Sequence, residues 1–224
     1  MNWQTDNATQ HAARGFPLPI YSAQPLPEYQ GGNFEYTNWQ QHLRLGDVFP
    51  SKPSGCYPNH PSQIVAEFQA THYLPGLALT ASWGGMGRTK QYIYAHPIQD
   101  IHDTLDRCAQ SIHETKSIQQ SWDLLVSGLH WSSVMTSKTL HFLCRALFGF
   151  DYQDPPVPID GKVVRGYVWP GFRAGIPVSQ RPNDWEGDSF GAYSRYMTAI
   201  IEWAKAKNWT TTQVQATIFE ENKP

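Results

Sequence analysis

Residues 131–165 read WSSVMTSKTLHFLCRALFGFDYQDPPVPIDGKVVR, and this stretch decides how the rest of the chain is read. Apolar residues recur at three- and four-residue steps through TSKTLHFLCRALFG, which predicts an amphipathic helix. Taking about 100° per residue from Lys138, the side chains of Leu143, Leu147 and Leu140 fall near 140°, 180° and 200°. His141 and Arg145 fall near 300° and 340°, so Lys138, His141 and Arg145 share one face opposite a leucine seam. The simplest reading of that face is the solvated back of a surface helix. The loop that follows gives it a second reading. PPVPID carries three prolines that stiffen the approach and deliver Asp160 to the predicted start of another helix. A carboxylate there accepts backbone N–H bonds and is favoured by the helix dipole. An ordinary N-cap worth about 1 kcal/mol and a firmly fixed functional carboxylate are compatible roles.

The composition is that of a globular protein, with 40% hydrophobic and 16% charged residues, 9 Trp, 11 Tyr and 10 Phe among 224. Core filling is the expected role of most of these rings, with stacking on flat ligands such as bases or sugars as the alternative. Net charge is −2, so no global field draws the chain to nucleic acid. From Lys138 to Arg181, however, six Lys/Arg against three Asp/Glu give a local +3. Cys56, Cys108 and Cys144 form neither a disulfide framework nor a CxxC pair, which suits a reducing compartment. The N-terminus lacks an apolar leader core and no run approaches a membrane span, so a cytoplasmic protein is expected.

Residues 1–32, punctuated by Pro and Gly, predict an extended N-terminal arm, and residues 33–224 a mainly α, single helical domain. Within it, FEYTNWQQHLRL predicts a short helix with Phe34, Trp39, Leu43 and Leu45 in the core. Ser62 is the expected cap of QIVAEFQATHYL. LALTASWGGMGRTKQYIY reads as a strand-like segment or a pocket loop, because its glycines interrupt a helix. IQDIHDTLDRCAQSIHETKSI places Ile98, Ile101, Leu105, Cys108 and Ile112 on one helical face. SWDLLVSGLH, SFGAYSRYMTAIIEWAKAK and the Thr-capped TTTQVQATIFEE are the remaining expected helices.

Several motifs fail on chemistry. GGMGR matches neither phosphate-loop pattern, IHETK lacks the second histidine of a zinc helix, and no G-x-S-x-G elbow is present. Cys56 and His60 fall short of the four ligands of a structural zinc site, so no metal and no cofactor is expected.

The sequence W-x-x-M-x-S-K-x-L-H-F-L followed by P-P-V-P-I-D resembles the helix–hairpin–helix DNA glycosylase superfamily, and within it the bacterial 8-oxoguanine DNA glycosylase-like group. In that superfamily a helical hairpin bears a lysine, and a Pro-containing loop further along delivers an aspartate to a helix start. Lys138 and Asp160 occupy the matching positions. Y-S-R-Y-M, E-W-A and a closing helix ending in I-F extend the similarity over roughly residues 78–222. One departure is plain. Where these enzymes carry a Pro-Gly-containing hairpin, this chain has Ser132, Ser133, Val134, Met135 and Thr136. Hydroxyls of Ser132, Ser133, Thr136 and Ser137 then stand in for bare amides as phosphate contacts.

The resemblance implies a helical glycosylase fold, double-stranded DNA as partner, a monomer, and a bacterial, nucleoid-associated setting. It implies catalytic roles for Asp160 and Lys138. The carboxylate stabilises positive charge developing on the sugar. The amine serves as nucleophile if its surroundings bring its pKa from about 10.4 toward about 7–8, and His141 and Arg145 are placed to push it so. Trp83, Met86 and Trp131 are the candidate base pocket. His141, Arg145, Arg88, Lys90, Lys162 and Arg165 are candidate DNA contacts. The pocket of the 8-oxoguanine enzymes has no residue-by-residue match, which favours a foreign hypermodified base such as a glucosylated hydroxymethylcytosine of phage DNA. An 8-oxoguanine repair glycosylase with lyase activity, a non-catalytic DNA-binding module and a Trp-built carbohydrate-binding domain are the competing readings.

Overall fold

The computed structural model describes residues 23–31, 33–35, 56–85, 93, 95–152, 155–161 and 189–222, and it is mainly helical. The chain divides into two compact units, one comprising Gln30–Tyr152 and the other Met1–Tyr29 with Gln153–Pro224.

In the first unit a short antiparallel ladder pairs β1 (Asn33–Glu35) with β2 (Cys56–Pro58), Phe34 lying opposite Tyr57. The helix expected from Phe34 onward therefore does not include its first two residues; Trp39, Leu43 and Leu45 lie outside the described residues. Next comes α1 (Pro61–Gln69), with Ile64, Val65 and Phe68 buried as the spacing requires. Its cap is His60, not Ser62: the imidazole Nδ1 accepts from the Ser62 amide at 3.2 Å. Pro61 explains the shift, since its fixed φ and missing N–H suit the first helical position.

α2 (Tyr73–Trp83) corrects the expectation of a strand or loop from Leu77. Nearly every side chain from Tyr73 to Trp83 is buried, so the helix is apolar all round and carries no one-sided periodicity to read. Pro75 falls in the first turn, where no intrahelical N–H bond is lost. α3 (Ile98–Thr115) buries Ile101, Leu105, Cys108 and Ile112, while Ile98 is 52% exposed at the helix start. α4 (Gln119–Asp123) runs into a π-helical turn, Leu124–Gly128.

α5 (Ser133–Phe148) packs against α1, α2 and α3. Ser132 caps it, its Oγ accepting from Met135 N at 3.4 Å. Both of its faces are buried from Met135 to Arg145, so the polar stripe is not a solvated back. The helix lies inside the unit, and its polar side chains must find partners there.

In the second unit α6 (Phe190–Lys207), capped by Ser189, packs against α7 (Thr211–Asn222). Thr210 and Gln213 form a reciprocal capping box: Gln213 N donates to Thr210 Oγ1 at 3.2 Å and Thr210 N donates to Gln213 Oε1 at 2.8 Å. The described part of the N-terminal segment has no helix or strand from residue 23 to 31, and its Leu26 N–H donates to Thr217 Oγ1 at 3.0 Å. Among the described residues no helix is long and apolar enough to cross a membrane.

Candidate functional site

Four of the predicted residues form one contiguous set in the Gln30–Tyr152 unit. Lys138, on the second turn of α5, is only 4% exposed. Its Nζ donates to the Gly84 carbonyl at 3.2 Å and lies 5.9 Å from the centroid of the Trp83 ring. Trp83 is the last residue of α2, so the C-terminal end of that helix supplies both an acceptor and an aromatic wall for the amine. The indole lies nearly parallel to His141, with centroids 6.5 Å apart and planes at 10°, and meets Phe142 edge-on at 5.1 Å.

His141 is in turn bound to Arg145, with Nη1 and Nε2 3.2 Å apart. A guanidinium only donates, so Nε2 accepts and the neutral ring carries its proton on Nδ1. Arg145 also donates from Nε to the Phe150 carbonyl at 2.9 Å and stacks its guanidinium 4.1 Å above the Phe150 ring. Helical spacing predicts this lysine–histidine–arginine face. The contacts show an internal relay running from the amine through Trp83 and His141 to Arg145, where the sequence reading expects direct surface contacts.

Two glycines let the backbone approach the set. Gly84 has ordinary helical-end geometry, and a Cβ there would come within 2.9 Å of Lys138 Cδ and 3.0 Å of Cε. Gly31 has φ +83°, and a Cβ on it would lie 2.7 Å from Asn59 Oδ1 and 2.9 Å from Trp83 Cδ1. Any larger residue at either position would intrude on the amine or on the indole edge.

Ser132 is exposed at the start of α5, whereas Ser133, Thr136 and Ser137 are buried. Ser137 Oγ donates to Val134 O at 3.1 Å, and Thr136 Oγ1 has no hydrogen-bond partner. Of the four hydroxyls expected to meet phosphate, Ser132 alone is at the surface. Trp131 is buried just before α5, its Nε1 without a partner. Met86, Arg88, Lys90, Lys162 and Arg165 lie outside the described residues.

No family model, curated protein or solved structure matches the chain.

Asp160 belongs to the other unit, where it is half-buried at the end of the proline strap. Pro155, Pro156, Val157, Pro158 and Ile159 are all buried. The strap is tied to α6 twice: Tyr193 Oη donates to Val157 O at 3.1 Å, and Val157 N donates to Met197 Sδ at 3.0 Å. Tyr196, on the same helix, has its phenol pushed up by complete burial and further by the charge of Asp160. The two sequence signatures PPVPID and YSRYM thus meet physically, the bulky residues of the second holding the first in place. The helix expected to begin at Asp160 lies beyond the described residues.

Sequence reading misses Gly31 and Asn59. A glycine in a Pro/Gly-rich arm and an asparagine before a helix are ordinary loop residues, and only their packing against Trp83 sets them apart. Cys108 and Cys144 are buried in the helical core; burial pushes the Cys108 thiol up to about 12 and that of Cys144 higher still. Neither has the character of a reactive thiolate.

Proposed function

We propose that this chain is a DNA glycosylase of the helix–hairpin–helix type that takes a modified base out of the duplex and excises it. A foreign hypermodified cytosine is the favoured substrate, and removal of phage DNA from circulation the favoured purpose. The observation that carries the reading is the almost complete burial of the Lys138 amine against Trp83 and the Gly84 carbonyl. Removing an ammonium from water costs several kcal/mol, and a desolvated amine next to an aromatic wall is the arrangement an amine nucleophile requires.

In this mechanism the amine attacks C1′ of the extruded nucleotide. A nitrogen–carbon bond forms as the N-glycosidic bond breaks, and the base departs with that electron pair and takes up a proton. Opening of the sugar ring leaves an iminium at C1′, from which hydrolysis gives an abasic site and elimination gives strand cleavage. The resemblance gives Asp160 the task of offsetting the positive charge that grows on the sugar. Its strap, fixed by Tyr193 and Met197, supports that role, because electrostatic stabilisation depends on a carboxylate that does not relax away. The exposed Ser132 is the proposed phosphate-side contact within the described residues.

The test is to incubate the protein with hypermodified phage DNA and with duplexes carrying 8-oxoguanine, then count abasic sites. Abasic sites on the phage DNA support the proposal. Sites on the oxidised duplex alone replace it with a repair glycosylase, and salt-dependent binding without abasic sites on either DNA replaces it with a non-catalytic module.

A further inference from the structure

Asn59 is 1% exposed, and neither its amide nitrogen nor its amide oxygen has a hydrogen-bond partner. An amide carries two donors and an acceptor oxygen, so its burial without partners is among the costliest single features a fold retains. The other buried, unpartnered side-chain atoms in this unit include Trp131 Nε1, Thr136 Oγ1 and Thr139 Oγ1. Each of those offers one group. Asn59 offers a donor and an acceptor side by side, which is the pairing that reads one edge of a nucleobase.

Its position links it to the aromatic wall of the lysine site. Asn59 Oδ1 and Trp83 Cδ1 both lie close against Gly31, 2.7 and 2.9 Å from where a Cβ on it would be, so the glycine at φ +83° packs beside both. Trp83 in turn lies beside the Lys138 amine. A reading group, a flat wall and a nucleophile therefore follow one another along a single stretch of the unit.

We propose that Asn59 reads the base to be excised, its Nδ2 donating to a ring nitrogen and its Oδ1 accepting from the adjacent exocyclic N–H. On the cytosine of the proposed function this is the 4-amino/N3 edge, which a substituent at C5 leaves untouched. The inference deepens the glycosylase reading and rests on it for the substrate class. It adds that the cytosine ring itself is recognised at its pairing edge, separately from the substituent at C5.

Two measurements decide it. In the first, excision by the wild-type protein is compared between a 5-modified cytosine and the same base methylated at N3, and repeated with Asn59→Leu. The expected result is a loss of roughly 10- to 100-fold for the blocked base with wild type, and a similar loss for Asn59→Leu on the free-edged base. The variant is expected to melt no lower than wild type, because it removes a buried amide that lacks partners. Asn59→Leu excising at the wild-type rate overturns the proposal. The second measurement needs no catalysis and no variant. Deoxycytidine is titrated into the wild-type protein while the side-chain amide resonances of Asn59 are followed, with N3-methyldeoxycytidine as control. A shift with the first nucleoside alone supports the assignment even if no DNA is cut, and no shift with either overturns it even if bases are released.

Discussion

Replacing Gly84 by alanine separates the position of the Lys138 amine from the stability of the fold. Gly84 has φ −82° and ψ 7°, a conformation open to alanine without strain. Loss of glycine's freedom in the unfolded chain is worth about 0.4–1 kcal/mol in favour of the variant. The added Cβ, however, would lie 2.9 Å from Lys138 Cδ and 3.0 Å from Cε, against an ordinary contact of 3.4 Å or more. The side chain must therefore give way by about 0.5 Å at the stem and by more at its tip, where the Cβ would come closer still. A displacement approaching 1 Å at a reacting atom costs on the order of 100-fold in rate. The expected outcome is a melting temperature equal to or slightly above wild type, with single-turnover excision lowered roughly 10- to 100-fold. Gly85→Ala is the control. Gly85 has φ +65° and no atom within 4 Å of its would-be Cβ, so alanine there strains the backbone by about 1–2 kcal/mol and leaves the amine alone. It should melt lower and excise normally. A Gly84→Ala protein that works at the wild-type rate would refute the placement of Lys138 at the reaction centre.

Further outcomes follow from the same contacts. Tyr193→Phe removes the hydroxyl that donates to Val157 O, and at about 1–3 kcal/mol for a carbonyl left buried without its donor it should lower the melting temperature and slow excision together. Ser132→Ala removes the cap of α5 and should cost about 1 kcal/mol in a denaturant titration. The raised thiols set an alkaline limit. A folded-state pKa above the unfolded one means that the folded chain binds the proton more tightly, so this stability is complete below the unfolded value and lost as pH rises through the folded one. For Cys108 that window runs from its ordinary 9.0 to about 12, and urea midpoints should hold level to about pH 8.5 and fall above it. Cys108 and Cys144 should likewise resist thiol reagents until the protein is unfolded.

What the sequence makes legible is whatever repeats on one side of an element. Ile101, Leu105, Cys108 and Ile112 announce α3, and the threonines before QVQATIF announce the start of α7. α2 escapes because burial on every side removes the contrast that periodicity depends on, and the glycines just past its end read as breakers. The extent of the α5 face was visible, but its burial was not: a polar stripe looks alike whether it meets water or the end of another helix. The amine's partner lies 54 residues away along the chain, a contact that no local pattern encodes. Asn59 is the extreme case, since a buried amide without partners has no sequence signature. The YSRYM motif was visible as letters, and its role in clamping Val157 only as geometry.

Reduction with borohydride during turnover reaches the central claim most directly, because it converts an iminium between Lys138 and C1′ into a permanent bond. The protein is mixed with hypermodified DNA in the presence of the reductant and run on a denaturing gel. A protein–DNA adduct in the wild type that maps to Lys138 by peptide mass, and that disappears in Lys138→Met, is the predicted result. Free base accumulating at full rate with no adduct, or an adduct undiminished in Lys138→Met, would contradict it.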